Sequence, residues 1–308
     1  MRIFTSAAAA AGEFTASVVT VGKFDGVHLG HRAVISQLVT VARAQEMPAV
    51  AVTFDRNPLA LLRPEICPPN LISIEQKLEL LSETGLDAVL IVPFDARLAA
   101  LPPAEFIKEF LVDSLHAATV LVGQDFRFGA GGVGTVETLR LLGVGFGFTV
   151  TLIDDVMPDG QHRVSSTRIR GLLHEGDVAR AGELLGHIPT VRGVVVHGAK
   201  RGRELGFPTA NLSPESQGLI PADGVYAGWF IDGSVRYPAA ISVGSNPTFD
   251  GVRPKQVEAY LLDQDLDLYG HNVDVEFVAR IRGMVKYEGV APLIAQMADD
   301  VMQVRGLL

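Results

Sequence analysis

The sequence predicts an α/β domain with a mostly parallel sheet, then a smaller β barrel, then a C-terminal helix. Three observations predict this. Strand-like and helix-like segments alternate from Ser17 to about Ile153, the pattern of a sheet covered by helices on both faces. From Thr190 onward the texture changes to short β-rich runs separated by turn signals, which suggests a small barrel. The change falls near His187–Thr190, so the expected domains are residues 1–187 and 188–308.

In the first domain the expected strands are Ser17–Val21, Ala49–Phe54, Ala88–Val92, Thr119–Val122 and Phe148–Ile153. Their near-continuous apolar character fits strands buried on both faces. The expected helices are about His28–Ala44, Ser73–Thr84, Ala104–Ser114 and Thr135–Leu142, with further helix through Ser165–Gly186. In the second domain the expected strands are Val191–His197, Val225–Ile231, Tyr237–Val243, Gln256–Leu262 and Val273–Ala279. Turn signals at 221–224, Asn246-Pro247 and Tyr269-Gly270 separate them, and a helix over about Val290–Val304 closes the chain.

Composition narrows the function classes. The chain has 308 residues, 48% hydrophobic and 20% charged, as in a soluble globular protein with a sizeable core. Its net charge of −9, about −6 in the first domain and −3 in the second, argues against a broad nucleic-acid surface. The expected partners are therefore small anions held locally, with no nucleic acid. No run of about 18 apolar residues exists, so no membrane span is expected. The N-terminus reads as no signal peptide, because Glu13 follows the short alanine run. A single cysteine, Cys67, excludes an intramolecular disulfide and a cysteine zinc cage, and suits a reducing compartment, the cytoplasm. The sequence leaves open whether the protein forms a homo-oligomer.

The most informative stretch is Gly22-Lys23-Phe24-Asp25-Gly26-Val27-His28-Leu29-Gly30-His31. It joins an expected strand to an expected helix. A glycine-rich turn of this kind lets backbone approach a phosphate, and a helix start favours negative charge. His28 and His31, three apart, would face one ligand. Two imidazole N–H donors there can stabilise a pentacovalent phosphorus centre. A zinc role is less economical, since the spacing is three and no third ligand is evident. The plainer alternative is a capping or packed histidine pair. Two further stretches join it. Gly123-Gln124-Asp125-Phe126-Arg127-Phe128-Gly129 follows a strand and is either an active-face loop or a packed turn. Arg163-Val164-Ser165-Ser166-Thr167-Arg168-Ile169-Arg170 offers hydroxyls and arginines at a helix start. That is an anion site or simply a capped surface helix.

The second dense region is residues 198–211, Gly-Ala-Lys-Arg-Gly-Arg-Glu-Leu-Gly-Phe-Pro-Thr-Ala-Asn. Gly198, Gly202 and Gly206 lie four apart beside Lys200, Arg201 and Arg203. No Walker ending is present, yet such a loop still presents N–H groups to phosphates. Thr209 and Asn211 carry oxygens suited to Mg²⁺. The alternative is a basic hairpin turn. Glu258 sits in an apolar β run, either on a solvated face or inside a site.

The first three elements, in order, resemble the adenylyltransferase half of the prokaryotic bifunctional riboflavin kinase/FAD synthetase family. The resemblance implies a Rossmann-like nucleotidyltransferase domain in which FMN phosphate attacks the α-phosphorus of ATP, giving FAD and pyrophosphate. It implies that His28 and His31 stabilise the phosphates and the transition state. Gly22, Phe24, Asp25, Gly30, Asp125, Arg163, Ser166, Thr167 and Arg170 would hold ATP and its phosphates. Phe126 and Phe128 would contact the flavin. The family's Thr-Phe-Asp-x-His-Pro element reads Thr53-Phe54-Asp55-Arg56-Asn57-Pro58 here. Asparagine keeps a donor and an acceptor but carries no positive charge.

The C-terminal set is similar to the riboflavin kinase domain of the same family, a six-stranded Greek-key barrel. It comprises Gly-Phe-Pro-Thr-Ala-Asn, Ala222-Asp223-Gly224-Val225-Tyr226, Asn246-Pro247-Thr248-Phe249, Val257-Glu258 and Asp267-Leu268-Tyr269-Gly270. The resemblance implies that Gly198, Lys200, Gly202 and Gly206 hold ATP, that Thr209 and Asn211 bind Mg²⁺, and that Asn246 and Thr248 contact flavin. Glu258 would be the general base for the ribityl hydroxyl. Riboflavin, FMN and ATP are the implied substrates. Two alternatives stay open from sequence: a riboflavin kinase with an altered nucleotidyltransferase domain, and a non-catalytic flavin-binding protein.

Overall fold

The computed structural model describes residues 1–154, 157, 162–198, 205–244 and 255–308. By packing, Met1–Asn70 with Ile74–Ser165 forms one unit, and Leu71–Ser73 with Ser166–Leu308 forms another.

The first unit is built on a six-stranded parallel sheet. Its strands are β1 (Arg2–Phe4), β2 (Ser17–Val21), β3 (Ala49–Phe54), β4 (Ala88–Val92), β5 (Ala117–Gly123) and β6 (Thr149–Ile153). The order across the sheet is β1-β4-β3-β2-β5-β6, every neighbouring pair parallel. Strands β2 and β4 are buried along their whole length, and β3 along all but its last residue. That explains their unbroken apolar runs: in a sheet covered on both faces, both sets of alternate side chains lose water. Each such Val or Ile side chain contributes about 1.5–3 kcal/mol over its exposed state.

Chain order runs outward from β2 to β3 and β4, then returns to β5 and β6 on the other side. The strand order therefore reverses between β2 and β5. In open parallel sheets ligands settle at the carboxyl ends of the strands at such a reversal. The loops that leave β2 and β5 there are Gly22–His31 and the one carrying Asp125.

Helix α1 (Ala7–Ala10) and strand β1 were not foreseen. Both are short, and the helix depends on the Ser6 hydroxyl accepting from Ala9 N–H. Helix α2 (Leu29–Ala44) follows the first motif. A short helix α3 (Leu59–Leu62) and α4 (Ile74–Ser82) come before β4. Helix α5 (Ala96–Ala99) follows β4. The expected helix over 104–114 begins as α6 (Pro103–Phe106) and continues in a wider helical winding, Ile107–Asp113. The Ser114 hydroxyl donates to the Glu109 carbonyl five residues back, matching that wider turn. Helix α7 (Val136–Phe146) is capped by Thr135 and stopped by Gly147 in the left-handed region.

Asp87 ties two strand starts together at the opposite end of the sheet. Its carboxylate accepts two hydrogen bonds from Arg43, at 2.7 and 3.1 Å, and one from Ala49 N–H. The Arg43 bond holds this carboxyl below the usual carboxylate range; partial burial opposes, and the Ala49 N–H assists. A depressed folded-state value stabilises the fold above the ordinary carboxylate range and is lost as pH falls through the folded value. Asp87→Asn is expected to cost about 1 kcal/mol near neutral pH, with the cost shrinking in acid. Thermal unfolding at several pH values checks this.

The second unit opens with two helices, α8 (Ser166–Glu175) and α9 (Val178–Leu185). The expected continuous helix breaks here because Gly176 takes φ +84 and Asp177 starts the next helix, accepting from Arg180 N–H. The division expected after residue 187 coincides with the approach to the first barrel strand. By packing, however, residues 166–185 lie with the barrel. Arg280 joins them to it, donating to the Glu175 and Asp223 carbonyls.

The barrel comprises β7 (Thr190–Val196), β8 (Ala210–Leu212), β9 (Gly224–Asp232), β10 (Val235–Gly244), β11 (Gln256–Leu261) and β12 (Asn272–Arg282). It closes in the order β10-β11-β8-β7-β12-β9, all antiparallel. The meander β9–β10–β11 is thus inserted between β8 and β12, a Greek-key path. Val191, Ile241, Val257, Ala259, Val275 and Phe277 fill the interior. The Tyr226 hydroxyl donates to the Ala222 carbonyl at 2.5 Å and pins the entry to β9. The C-terminal helix, Val290–Leu307, packs through Val304 against the outer face at Ala240 and Tyr260. Its buried Asp300 accepts a bidentate pair of bonds from Arg282.

Candidate active site

In the first unit the Gly22–His31 turn is tightly constrained. Phe24, Gly26 and Val27 all have positive φ, at 49°, 85° and 38°. For a buried β-branched residue such as Val27 this is a strained backbone, of a kind that persists only where surrounding structure enforces it. The turn delivers His28 to the N-cap of α2. His28 Nδ1 accepts from His31 N–H at 3.3 Å, so the neutral His28 ring carries its proton on Nε2. The two imidazoles stack at 3.6 Å between centroids and 13° between planes. Phe24, itself buried, stands edge-on to His31 at 5.3 Å.

Two glycines make this stack fit. A Cβ on Gly30 would lie 3.1 Å from His28 Cε1, and one on Gly22 would lie 2.9 Å from the Phe24 ring. The capping alternative is thus realised: His28 caps α2, and the cap orients the pair. His31 is held well below the usual histidine value by burial first, then by the charges of His28 and Lys77. It is neutral near pH 7. Its Nδ1 is buried without a hydrogen-bond partner among the described residues.

The loop after β5 supplies the next group. Asp125 accepts from Arg163 Nη1 at 2.7 Å, so two residues expected to serve the nucleotide meet in an exposed ion pair. Phe126 and Phe128 stack at 5.4 Å. Phe128 is only 5% exposed and belongs to the core beside Phe106. Phe126 is half-buried, so it is the ring with an accessible edge and Phe128 is its support. Ser166, Thr167 and Arg170 occupy the first turns of α8, Thr167 exposed and the other two half-buried.

Asn57, the departure noted in the sequence, accepts from Leu59 N–H at 3.1 Å and so starts α3. Asp55 beside it is partly buried, which alone would raise its pKa. Hydrogen bonds from Phe94 N–H and Arg56 outweigh this and lower it.

In the barrel, Thr209, Asn211 and Glu258 come together. Residue 258 on β11 pairs with 211 on β8. The Thr209 hydroxyl lies 3.4 Å from Glu258 Oε2, and Asn211 Nδ2 donates to the Thr209 carbonyl at 3.2 Å. Glu258 lies on the outer face, because Val257, Ala259 and Leu261 face the interior. It is half-buried there rather than solvated. Gly198 abuts this group: a Cβ would lie 2.5 Å from the Asn211 side chain. Gly206 forms an exposed turn at φ +88. Lys200, Gly202, Asn246 and Thr248 lie outside the described residues.

Two features escaped sequence reading. The three-residue strand β8 is too short for periodicity to reveal, yet it carries Asn211. Lys77 on α4 is buried, its ammonium bonded to the Phe54 carbonyl at the end of β3. The signal for it was its spacing of four from Leu81, a core residue on the same helical face.

Comparison with known proteins agrees with both units. A family model described as FAD synthetase matches residues 11–168, and one described as riboflavin kinase matches residues 185–308. Relatives named bifunctional riboflavin kinase/FMN adenylyltransferase include that of Escherichia coli K12, 39% identical over 94% of this chain and 91% of its own. Those of Listeria monocytogenes and Bacillus subtilis are 35% and 34% identical, covering 94% and 92% of this chain and 91% and 90% of their own. A crystal structure described as a macrolide-efflux protein from Streptococcus pneumoniae superposes with a TM-score of 0.87 at 32% identity, covering 98% of each chain. Among the described residues of this chain, no helix is long and apolar enough to cross a membrane. On this sequence, fold and site evidence together, the chain belongs to the bifunctional riboflavin kinase/FMN adenylyltransferase family.

Proposed function

We propose that the chain performs its family's two reactions with two distinct residue sets. In the kinase reaction, Glu258 accepts the proton of the riboflavin 5′-hydroxyl as that oxygen attacks the γ-phosphorus of ATP; FMN forms and ADP leaves. The carboxylate's place beside Thr209 and Asn211 is the observation that carries this reading. An oxygen-rich set of hydroxyl, amide and carboxylate suits a hard cation. Thr209 and Asn211 would hold Mg²⁺, which when bound neutralises phosphate charge. Gly198 and Gly206, with Lys200 and Gly202, are assigned to ATP phosphates, and Asn246 and Thr248 to the flavin.

In the second reaction the FMN phosphate oxygen attacks the α-phosphorus of ATP, and pyrophosphate leaves. His28 and His31 stabilise charge on the phosphates, held in register by the N-cap and the stack. Gly22, Phe24, Asp25 and Gly30 shape that turn. Asp125, Arg163, Ser166, Thr167 and Arg170 position the nucleotide, and Phe126 meets the flavin, backed by Phe128. Asn57, occupied in starting α3, leaves this arrangement intact.

A chromatographic time course of riboflavin, ATP and Mg²⁺ with the purified chain tests the reading. FMN is expected first and FAD after it. Riboflavin left unchanged would sink both assignments, and FMN accumulating without FAD would sink the second. Thr209→Ala is expected to raise the Mg²⁺-ATP requirement of the kinase step about tenfold or more, the loss of one charge-assisted oxygen contact. Unchanged ATP dependence would count against its role.

A further inference from the structure

Lys77 is the one buried lysine among the described residues, 8% exposed, on a helix that neither sequence motif includes. Burying an ammonium is unfavourable unless charge and hydrogen bonds compensate. Its Nζ donates to the Phe54 carbonyl at 3.3 Å. Phe54 ends β3, next to β2, where the Gly22–His31 turn begins. The same corner is held by the Thr53 hydroxyl, which donates to the Lys23 carbonyl. Lys77 is thus bonded to the frame of the phosphate turn.

We propose that Lys77 is a positioning residue for adenylyl transfer, its ammonium, anchored on the Phe54 carbonyl, supplying fixed positive charge near the His28–His31 stack. The inference rests on the assignment of that stack to adenylyl transfer.

The charges that face Lys77 support this. Asp25 from the turn and Asp55 from the end of β3 both favour its charged form, while burial opposes and lowers its pKa. Toward His31 the effect is repulsive: with burial and His28, Lys77 disfavours the imidazolium. Arg32, the residue after His31, points elsewhere, to Glu83. The groups acting on His31 are therefore His28, Lys77 and, edge-on, the Phe24 ring. A neutral His31 keeps one N–H donor and one acceptor. Burial is the main cause of that state, and Lys77 reinforces it while adding positive potential toward an incoming polyphosphate.

The test uses the full chain with three substitutions. Lys77→Gln keeps an N–H donor for the Phe54 carbonyl and removes the charge. Lys77→Met removes both, and Lys77→Arg keeps the charge. The expected result for Lys77→Gln is a fall in kcat for FAD formation of about tenfold or more, with little change in KM. Kinase activity of the same sample stays unchanged, and thermal unfolding together with amide NMR signals of the first unit reports that its fold is kept. The His31 ring signal, followed by NMR titration, moves to higher pH. Lys77→Met behaves like Lys77→Gln, and Lys77→Arg retains most of the rate and the low titration point. FAD formation and His31 titration both unchanged in Lys77→Gln would overturn the inference. So would a loss in Lys77→Arg as large as in Lys77→Gln, since that indicates packing rather than charge. His31→Ala separates the two claims. If it retains FAD formation, the assignment of the stack fails; if it loses FAD formation while Lys77→Gln does not, only the inference fails.

Discussion

Glu258→Gln is expected to lower riboflavin phosphorylation by about 10²–10⁴-fold, the usual contribution of a positioned general base. FMN adenylylation by the same sample is expected to persist. The amide is nearly isosteric and still bonds Thr209, so the half-buried packing on the outer barrel face survives. What disappears is the proton acceptor. The ribityl hydroxyl must lose its proton as it attacks, and no other carboxylate borders Thr209 in the described barrel. The effect should fall on kcat more than on KM, because the interaction develops only as the proton moves. Measuring both reactions on one preparation is decisive. Loss of both in a folded protein would mean that the two reactions do not use distinct residue sets.

The reverse pattern is expected for His28→Ala combined with His31→Ala. FAD formation should fall by about 10²–10³-fold or more, as when donors aimed at a developing oxyanion are removed. FMN formation should remain. The double change removes the N-cap bond from His28 Nδ1, about 1 kcal/mol, and also the two packed rings, which adds a cavity cost. Thermal unfolding separates this stability loss from the activity change. His28→Asn refines the experiment. Asparagine is a good N-cap and restores the helix start without restoring the imidazole. Stability recovering while FAD formation stays low would assign the histidine to chemistry as well as to capping.

Much of the architecture was legible in the chain itself. β2, β3 and β4 match their expected bounds because a strand buried on both faces is apolar at nearly every position, here with Ser17, Thr20 and Thr53 as the buried hydroxyl exceptions. Five of the six barrel strands were legible through alternation: β9, β10 and β12 run one to three residues past the expected bounds at each end, β7 is shifted one residue toward the N-terminus, and β11 is one residue shorter. The pieces that escaped were those held by contacts rather than by pattern. β8 is three residues of ladder between β7 and β11. β1 exists only as an edge beside β4. Residues 166–185 were read as a continuation of the first domain, because helical periodicity says nothing about which core a helix covers.

The site divides along the same line. Residue types and spacing alone placed His28 and His31 at a helix start and marked Thr209 and Asn211 as oxygen donors suited to a hard cation, while the family resemblance implied the part of Glu258 and the two nucleotide chemistries. Only the tertiary structure decided that His28 is itself the N-cap, that Phe128 is core and Phe126 its half-buried partner, and that Glu258 sits half-buried outside the barrel beside Thr209. It also buried Lys77, on an expected helix outside both motifs, within electrostatic reach of His31. The reason is physical. Local sequence sets backbone conformation and the chemistry a side chain can offer, whereas burial, charge proximity and protonation depend on what the rest of the chain brings within a few ångströms.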